Sequence, residues 1–224
     1  MLANALAHQH ELPGPEFNHA NDFIGGPKDQ IVYPQLPRLI SSHSIPPLLT
    51  PLLLKLKMLR FPQYILLVRD IRASLVSNYR KWQDRYAVEF SEFLRGDPAG
   101  KKYNSDIWWS IRFLNAWGRF RTCSHATVLV VRYEDLQLDT QTELARINQF
   151  IGLALRQEDI AHAIGNATKQ AMLAKADPQR PPGEVNKQEV EIESYFSSRD
   201  KLYFEEICRA FLKYDFAYDY SQWR

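Results

Sequence analysis

Two short runs of β-forming residues most constrain what this chain can fold into: Gln63–Val68 (QYILLV) and Thr127–Val131 (TVLVV). Each is apolar along its length rather than alternating, as in strands covered on both faces. Helical spacing follows each run. Ile71–Phe93 places Leu75, Val76, Tyr79, Trp82 and Tyr86 about one turn apart, and Thr140–Ile151 puts Leu144, Ile147, Phe150 and Ile151 on one face. A further helical stretch, Asp106–Arg121, carries Trp108, Trp109 and Trp117. At that spacing the tryptophans read as core more than as a ligand pocket. Parallel strands need long crossovers, which helices supply. The expected class is therefore α/β, a parallel sheet flanked by helices. Ligands in such sheets bind beyond the carboxyl ends of the strands, so the residues after Val68 and Val131 come first for function.

Residues 1–37 contain Pro13, Gly14, Pro15, Gly25, Gly26, Pro27, Pro34 and Pro37 and read as an irregular N-terminal segment. Residues 38–224 read as the α/β domain. Within it, Arg38–Ser41 is expected to be a short strand, 47–60 and 158–174 helices, 96–104 a loop and 177–184 a linker. Ser197–Lys213 is expected to be a terminal helix, its Ser-Ser-Arg-Asp opening suiting an N-cap.

Hydrophobic residues make up 45% of the chain and charged residues 24%, the balance of an ordinary globular protein. A net charge of +2 is too mild for nucleic acid as a main partner and suits a small anion held by a few placed cations. The two cysteines, Cys123 and Cys208, match neither a metal spacing nor a disulfide framework. Reduced thiols and the lack of a signal-peptide pattern in the first residues give a cytoplasmic expectation. His8, His10 and His19 have no companion ligands at metal spacing, so no metal is expected. The apolar stretch Ile45–Leu59 is broken by Pro46, Pro47, Pro51, Lys55 and Lys57, which argues against stable membrane insertion.

At the first strand end the chain places Arg69 at the carboxyl edge and enters a helix at about Ile71. The first backbone N–H groups of a helix lack intrahelical partners and carry partial positive charge. A phosphate there would meet that helix end and a guanidinium able to make two parallel hydrogen bonds. Ser77 lies about two helical turns on, with a hydroxyl to offer the same anion. The same residues also suit a plain Arg-Asp surface ion pair and a solvated serine.

VRDIRASLVSNY, residues Val68–Tyr79, resembles the 3′-phosphate-binding segment of sulfotransferases that use 3′-phosphoadenylyl sulfate (PAPS). Val131–Leu136, VRYEDL, resembles the family's segment after a later buried strand. Arg38–Pro47, RLISSHSIPP, is similar to the family's Lys-Thr-His segment, with Ser41–Ser42 in place of Lys-Thr. The resemblance implies a P-loop-NTPase-like sulfotransferase fold and PAPS as co-substrate. It implies that Arg69 and Ser77 bind the 3′-phosphate, that Tyr133 contacts the nucleotide, and that His43 is the general base. An imidazole, with an ordinary pKa of about 6.5, suits that task. The family's Pro-Lys-Ser-Gly-Thr-Thr loop, which wraps the 5′-phosphosulfate, has no counterpart; Gly25–Lys28 contains Pro-Lys only. The fold is accordingly expected to be N-terminally truncated. Thr168–Lys169 replaces the family's Ser-Phe, and its Arg-Lys-Gly segment is not matched, Asn186–Lys187 being out of register.

Two function classes follow. One is sulfuryl transfer from PAPS to a hydroxyl or amine on a small-molecule or glycan acceptor, in a monomer or homo-oligomer. The other is a non-catalytic binding or structural protein, or a fragment of a longer enzyme, without the 5′-phosphosulfate loop. A P-loop kinase would need a Gly-Lys-Ser/Thr loop, which the chain lacks.

Overall fold

The computed structural model describes residues 1–15, 22–50, 53, 56, 61–123, 127–168, 171, 191–221 and 223. In chain order these form α1 (Leu2–Gln9), β1 (Ile24–Gly25), β2 (Leu39–Ile40), β3 (Tyr64–Val68), α2 (Ile71–Tyr86), α3 (Phe90–Arg95), α4 (Ile107–Cys123), β4 (Val128–Arg132), α5 (Tyr133–Leu138), α6 (Thr140–Ile151), α7 (Gln157–Asn166), a 3₁₀ turn at Ile192–Tyr195 and α8 (Ser198–Phe211). Among the described residues the strands make two parallel pairs. β1 pairs with β2 from Ile24↔Leu39 to Gly25↔Ile40, and β3 with β4 from Tyr64↔Val128 to Val68↔Arg132. The α/β class with parallel strands flanked by helices holds.

The chain divides into two units: Met1–Ser44 with Tyr133–Gln188, and Ile45–Arg132 with Glu189–Arg224. In the first, α1 packs on α7. Ala3, Ala5, Leu6 and Ala7 are buried from α1, and Ile160 and Ala163 from α7. His8 Nδ1 lies 2.7 Å from the fully buried Asp159 carboxylate, and the His8 and His162 rings stack at 4.1 Å.

The second unit holds the main core. Leu66 and Val68 of β3 join Leu75 of α2, Phe93 of α3, Phe120 of α4 and Phe204 of α8. Trp117 is buried in this core, and Trp108 packs against it with its indole N–H donating to the Arg95 carbonyl at 2.9 Å. The core reading holds for Trp117 and Trp108, whereas Trp109 is half-buried and stacks on Phe113 at 4.9 Å. β3 itself is buried on one face only, since Leu67 is half exposed. Its burial alternates where the unbroken run suggested cover on both sides.

Three expectations need correction. Residues 1–37 are not irregular throughout: α1 occupies Leu2–Gln9. The turn formers counted there begin only at Pro13, and the preceding Leu-Ala-Asn-Ala-Leu-Ala is rich in helix formers. The helix from Ile71 does not run to Phe93. It stops at Tyr86, where Ala87 takes φ 50° and donates its N–H to the Gln83 carbonyl. Phe90 and Phe93 keep the helical phase of the earlier residues, so periodicity does not register the break. The terminal helix begins as expected: Ser197 and Asp200 cap each other's backbone N–H groups. The helix expected over 158–174 ends at Asn166, with Ala167 as its C-cap. The expected helix over 47–60 lies largely outside the described residues, as do the 177–184 linker, Lys169 and Asn186–Lys187.

Candidate functional site

β3 ends at Val68, and two residues separate it from α2 at Ile71. Arg69 fills the first of these positions, half-buried, at the carboxyl end of the strand. Asp70 fills the second and caps the helix. Its carboxylate accepts from the Arg72 N–H at 2.7 Å and pairs with the Arg72 guanidinium, Nη2 to Oδ2 at 2.6 Å. Burial works against charge on Arg72, but the Asp70 carboxylate outweighs it and raises the guanidinium pKa further. Arg72 and Asp70 thus form an Arg-Asp ion pair at this junction.

The C-terminal segment after α8 closes over this junction. Tyr220 Oη accepts from the Ile71 N–H at 3.1 Å, and Tyr218 Oη donates to the Val68 carbonyl at 3.4 Å. Both tyrosines are buried. Burial first, then the nearby Asp70 carboxylate, raises the pKa of the Tyr220 phenol, which stays neutral. Arg132, the last residue of β4, lays its guanidinium 4.3 Å from the Tyr218 ring centre. The Arg72 guanidinium sits 5.4 Å from the rings of Tyr220 and Trp223.

These contacts occupy part of the helix end at which an anion was expected. The N–H groups of Ile71 and Arg72 are already engaged, by Tyr220 and Asp70. Ser77 is on α2, six residues beyond Ile71, and is exposed.

Tyr133 opens α5 immediately after β4, so Arg69 and Tyr133 are the residues that follow the last register pair, Val68↔Arg132. Tyr133 is half-buried and His43 exposed. His43 follows β2 by three residues, beyond the Ser41 N–H that donates to the Gly25 carbonyl at 2.9 Å. Ser42 and Ser44, either side of it, join hydroxyls at 2.6 Å. The turn after β1 is closed by the Gly26 N–H on Asp29 at 2.6 Å and tied to β2 by Arg38, which donates to the Pro27 carbonyl at 2.9 Å. Because β1 and β2 are parallel, that turn and His43 both follow carboxyl ends. Arg69 and Ser77 belong to the second unit, His43 and Tyr133 to the first.

Tyr218, Tyr220, Arg72 and Arg132 were not singled out by sequence reasoning. The aromatic density of Tyr214–Trp223 was the visible signal for the two tyrosines. Tyr218 and Tyr220 are also spaced by two, as buried neighbours on one face of an extended segment are.

A strand-to-helix junction carrying arginine, in a parallel α/β chain, fits a class of proteins that bind phosphorylated nucleotides beyond strand ends. Residues 24–209 match the family model described as the sulfotransferase domain, and the chain belongs to that family. Among solved structures, the mouse sulfotransferase SULT7A1 complexed with PAP is similar, with a TM-score of 0.54 and 16% identity. That match covers 68% of this chain and 58% of the mouse chain, and it shows the fold. No curated protein matches. Among the described residues, no helix is long and apolar enough to cross a membrane, and no three His, Cys, Asp or Glu side chains are grouped to hold a metal.

Proposed function

We propose that this chain binds PAPS and transfers its sulfuryl group to a hydroxyl or amine of a small-molecule or glycan acceptor. The observation that carries the reading is the position of Arg69, at the carboxyl end of β3 and directly ahead of α2, in a chain of the sulfotransferase family. The mouse neighbour was solved with PAP, the product that PAPS leaves behind, which supports the choice of donor.

Arg69 supplies the 3′-phosphate with a cation and a bidentate donor, and Ser77 adds a hydroxyl from the exposed face of α2. Six residues of helix rise about 9 Å from Ile71 to Ser77. Tyr133, half-buried after β4, contacts the nucleotide. His43, exposed after β2, takes the acceptor's proton. The acceptor oxygen or nitrogen forms a bond to sulfur while the bond from sulfur to the bridging phosphate oxygen breaks. That electron pair leaves on PAP, and the acceptor proton passes to the His43 imidazole.

The test is transfer of radiolabelled sulfate from PAPS to a panel of hydroxyl and amine acceptors, with wild type and His43→Ala. Loss of a general base typically lowers the rate on the order of 100-fold or more. Equal transfer by both proteins would remove His43 from the mechanism. No transfer by wild type to any acceptor, together with no binding of PAP, would remove the reading as a whole.

A further inference from the structure

The segment after α8 is fastened to the second unit at every few residues. Asn115 of α4 holds both sides of the exit from α8: its Nδ2 donates to the Phe211 carbonyl at 2.7 Å, and its Oδ1 accepts from the Lys213 N–H at 2.7 Å. Tyr214 then packs on Gly118, where a Cβ would meet the ring's Cγ at 2.1 Å. Phe216 and Ala217 both take positive φ, 53° and 66°, a conformation side chains disfavour and which persists only where surrounding contacts fix it. After that turn Tyr218 and Tyr220 point into the unit while Asp219 faces out, its carbonyl accepting from Arg72 Nη2 at 3.2 Å.

The two buried hydroxyls do not land at random. One takes the carbonyl of Val68 and the other the N–H of Ile71. These are the last backbone group before Arg69 and the first after Asp70. The turn that presents Arg69 is thus held on both sides by one distant segment, while Arg132 rests on the Tyr218 ring. A site of this kind works only if its turn is held in place, because a guanidinium loses affinity when its main chain is free to swing.

We infer that Tyr218 and Tyr220 are positioning residues: their hydroxyls fix the Arg69 turn for the 3′-phosphate of the nucleotide. The inference rests on the proposed role of Arg69. It gives the C-terminal segment a function in donor affinity without any contact to the donor.

The experiment is calorimetric titration of adenosine 3′,5′-bisphosphate (PAP) and of adenosine 5′-phosphate into the full chain. The proteins are wild type, Tyr220→Phe, Tyr218→Phe/Tyr220→Phe, Arg69→Ala and the triple variant. Phenylalanine keeps the rings and their burial and removes only the hydroxyls, and a thermal melt of each variant checks the fold. The double tyrosine variant should bind PAP about 5- to 20-fold more weakly, the span expected of one or two lost hydrogen bonds. It should bind adenosine 5′-phosphate as wild type does. In the Arg69→Ala background the same two changes should have no further effect on PAP, because the group they position is gone. If Arg69→Ala weakens PAP binding while the tyrosine variants bind like wild type, the positioning role is wrong and the Arg69 assignment stands. An equal loss for both nucleotides, or full additivity with Arg69→Ala, likewise overturns positioning. If wild type and Arg69→Ala bind PAP alike, the Arg69 assignment falls and this inference falls with it.

Discussion

Replacing Gly118 by alanine tests how tightly the C-terminal segment is docked. In the interior of α4, glycine to alanine should by itself stabilise the helix by about 1 kcal/mol. The structure predicts the opposite sign. An added Cβ would lie 2.1 Å from Tyr214 Cγ and 2.5 Å from Tyr214 Cβ, where carbon atoms normally rest about 3.5–4.0 Å apart. Those atoms are the root of the side chain, so no rotation of the ring relieves the clash. The main chain at Tyr214 must move, and the residues just before it, Phe211 and Lys213, are tied to Asn115. Overpacking of this kind costs about 1–3 kcal/mol, and each Asn115 hydrogen bond lost adds about 1 kcal/mol. The net expectation is destabilisation of about 1–3 kcal/mol, a fall of roughly 0.5 M or more in the urea midpoint. Gly118→Ala in a Tyr214→Gly background removes both clashing atoms and should be neutral or stabilising. A single Gly118→Ala variant as stable as wild type would refute the packing.

Other outcomes follow from named groups. Ala87 ends α2 at φ 50°, so Ala87→Gly should raise stability by about 0.5–1 kcal/mol in urea unfolding. Asp159 and Asp200 are buried, which alone would raise their pKa. Hydrogen bonds from Arg156 and His8 to the first, and from Ser197, Ser91 and Arg95 to the second, outweigh burial and hold both at about 2. Their folded pKa lies below the ordinary value of about 3.9, so the stability they add is complete above that pH and is lost as pH falls towards 2. Urea unfolding between pH 5 and pH 2.5 should show this loss, and Asp200→Asn should reduce the slope while lowering stability at pH 7.

The strands at Tyr64–Val68 and Val128–Arg132 were legible because β-branched runs bounded by polar residues have few alternatives. Thr140–Ile151 was legible to the residue, Gly152 supplying its left-handed end at φ 67°. The junction at Arg69 was legible for the same reason, as a strand end followed by helical spacing. What occupies the helix end was not. Ile71 is engaged by a tyrosine 149 residues away, and no local pattern encodes a contact of that range. The break at Ala87 was hidden because alanine is a helix former and gives no sign of a left-handed conformation. α1 was hidden by the turn-forming residues that follow it. The placement of His43 beyond β2 followed from a two-residue strand that its own sequence barely marks, so the resemblance of RLISSHSIPP carried that position.

Arg69 is proposed to hold the 3′-phosphate of the nucleotide, and titration of PAP into wild type and Arg69→Ala decides it. A charge-assisted hydrogen bond contributes about 1.5–3 kcal/mol, so the variant should bind PAP about 10- to 100-fold more weakly. Adenosine 5′-phosphate, which lacks the 3′-phosphate, should bind both proteins equally. Equal affinity of the two proteins for PAP, or no binding of PAP by wild type, would contradict the account.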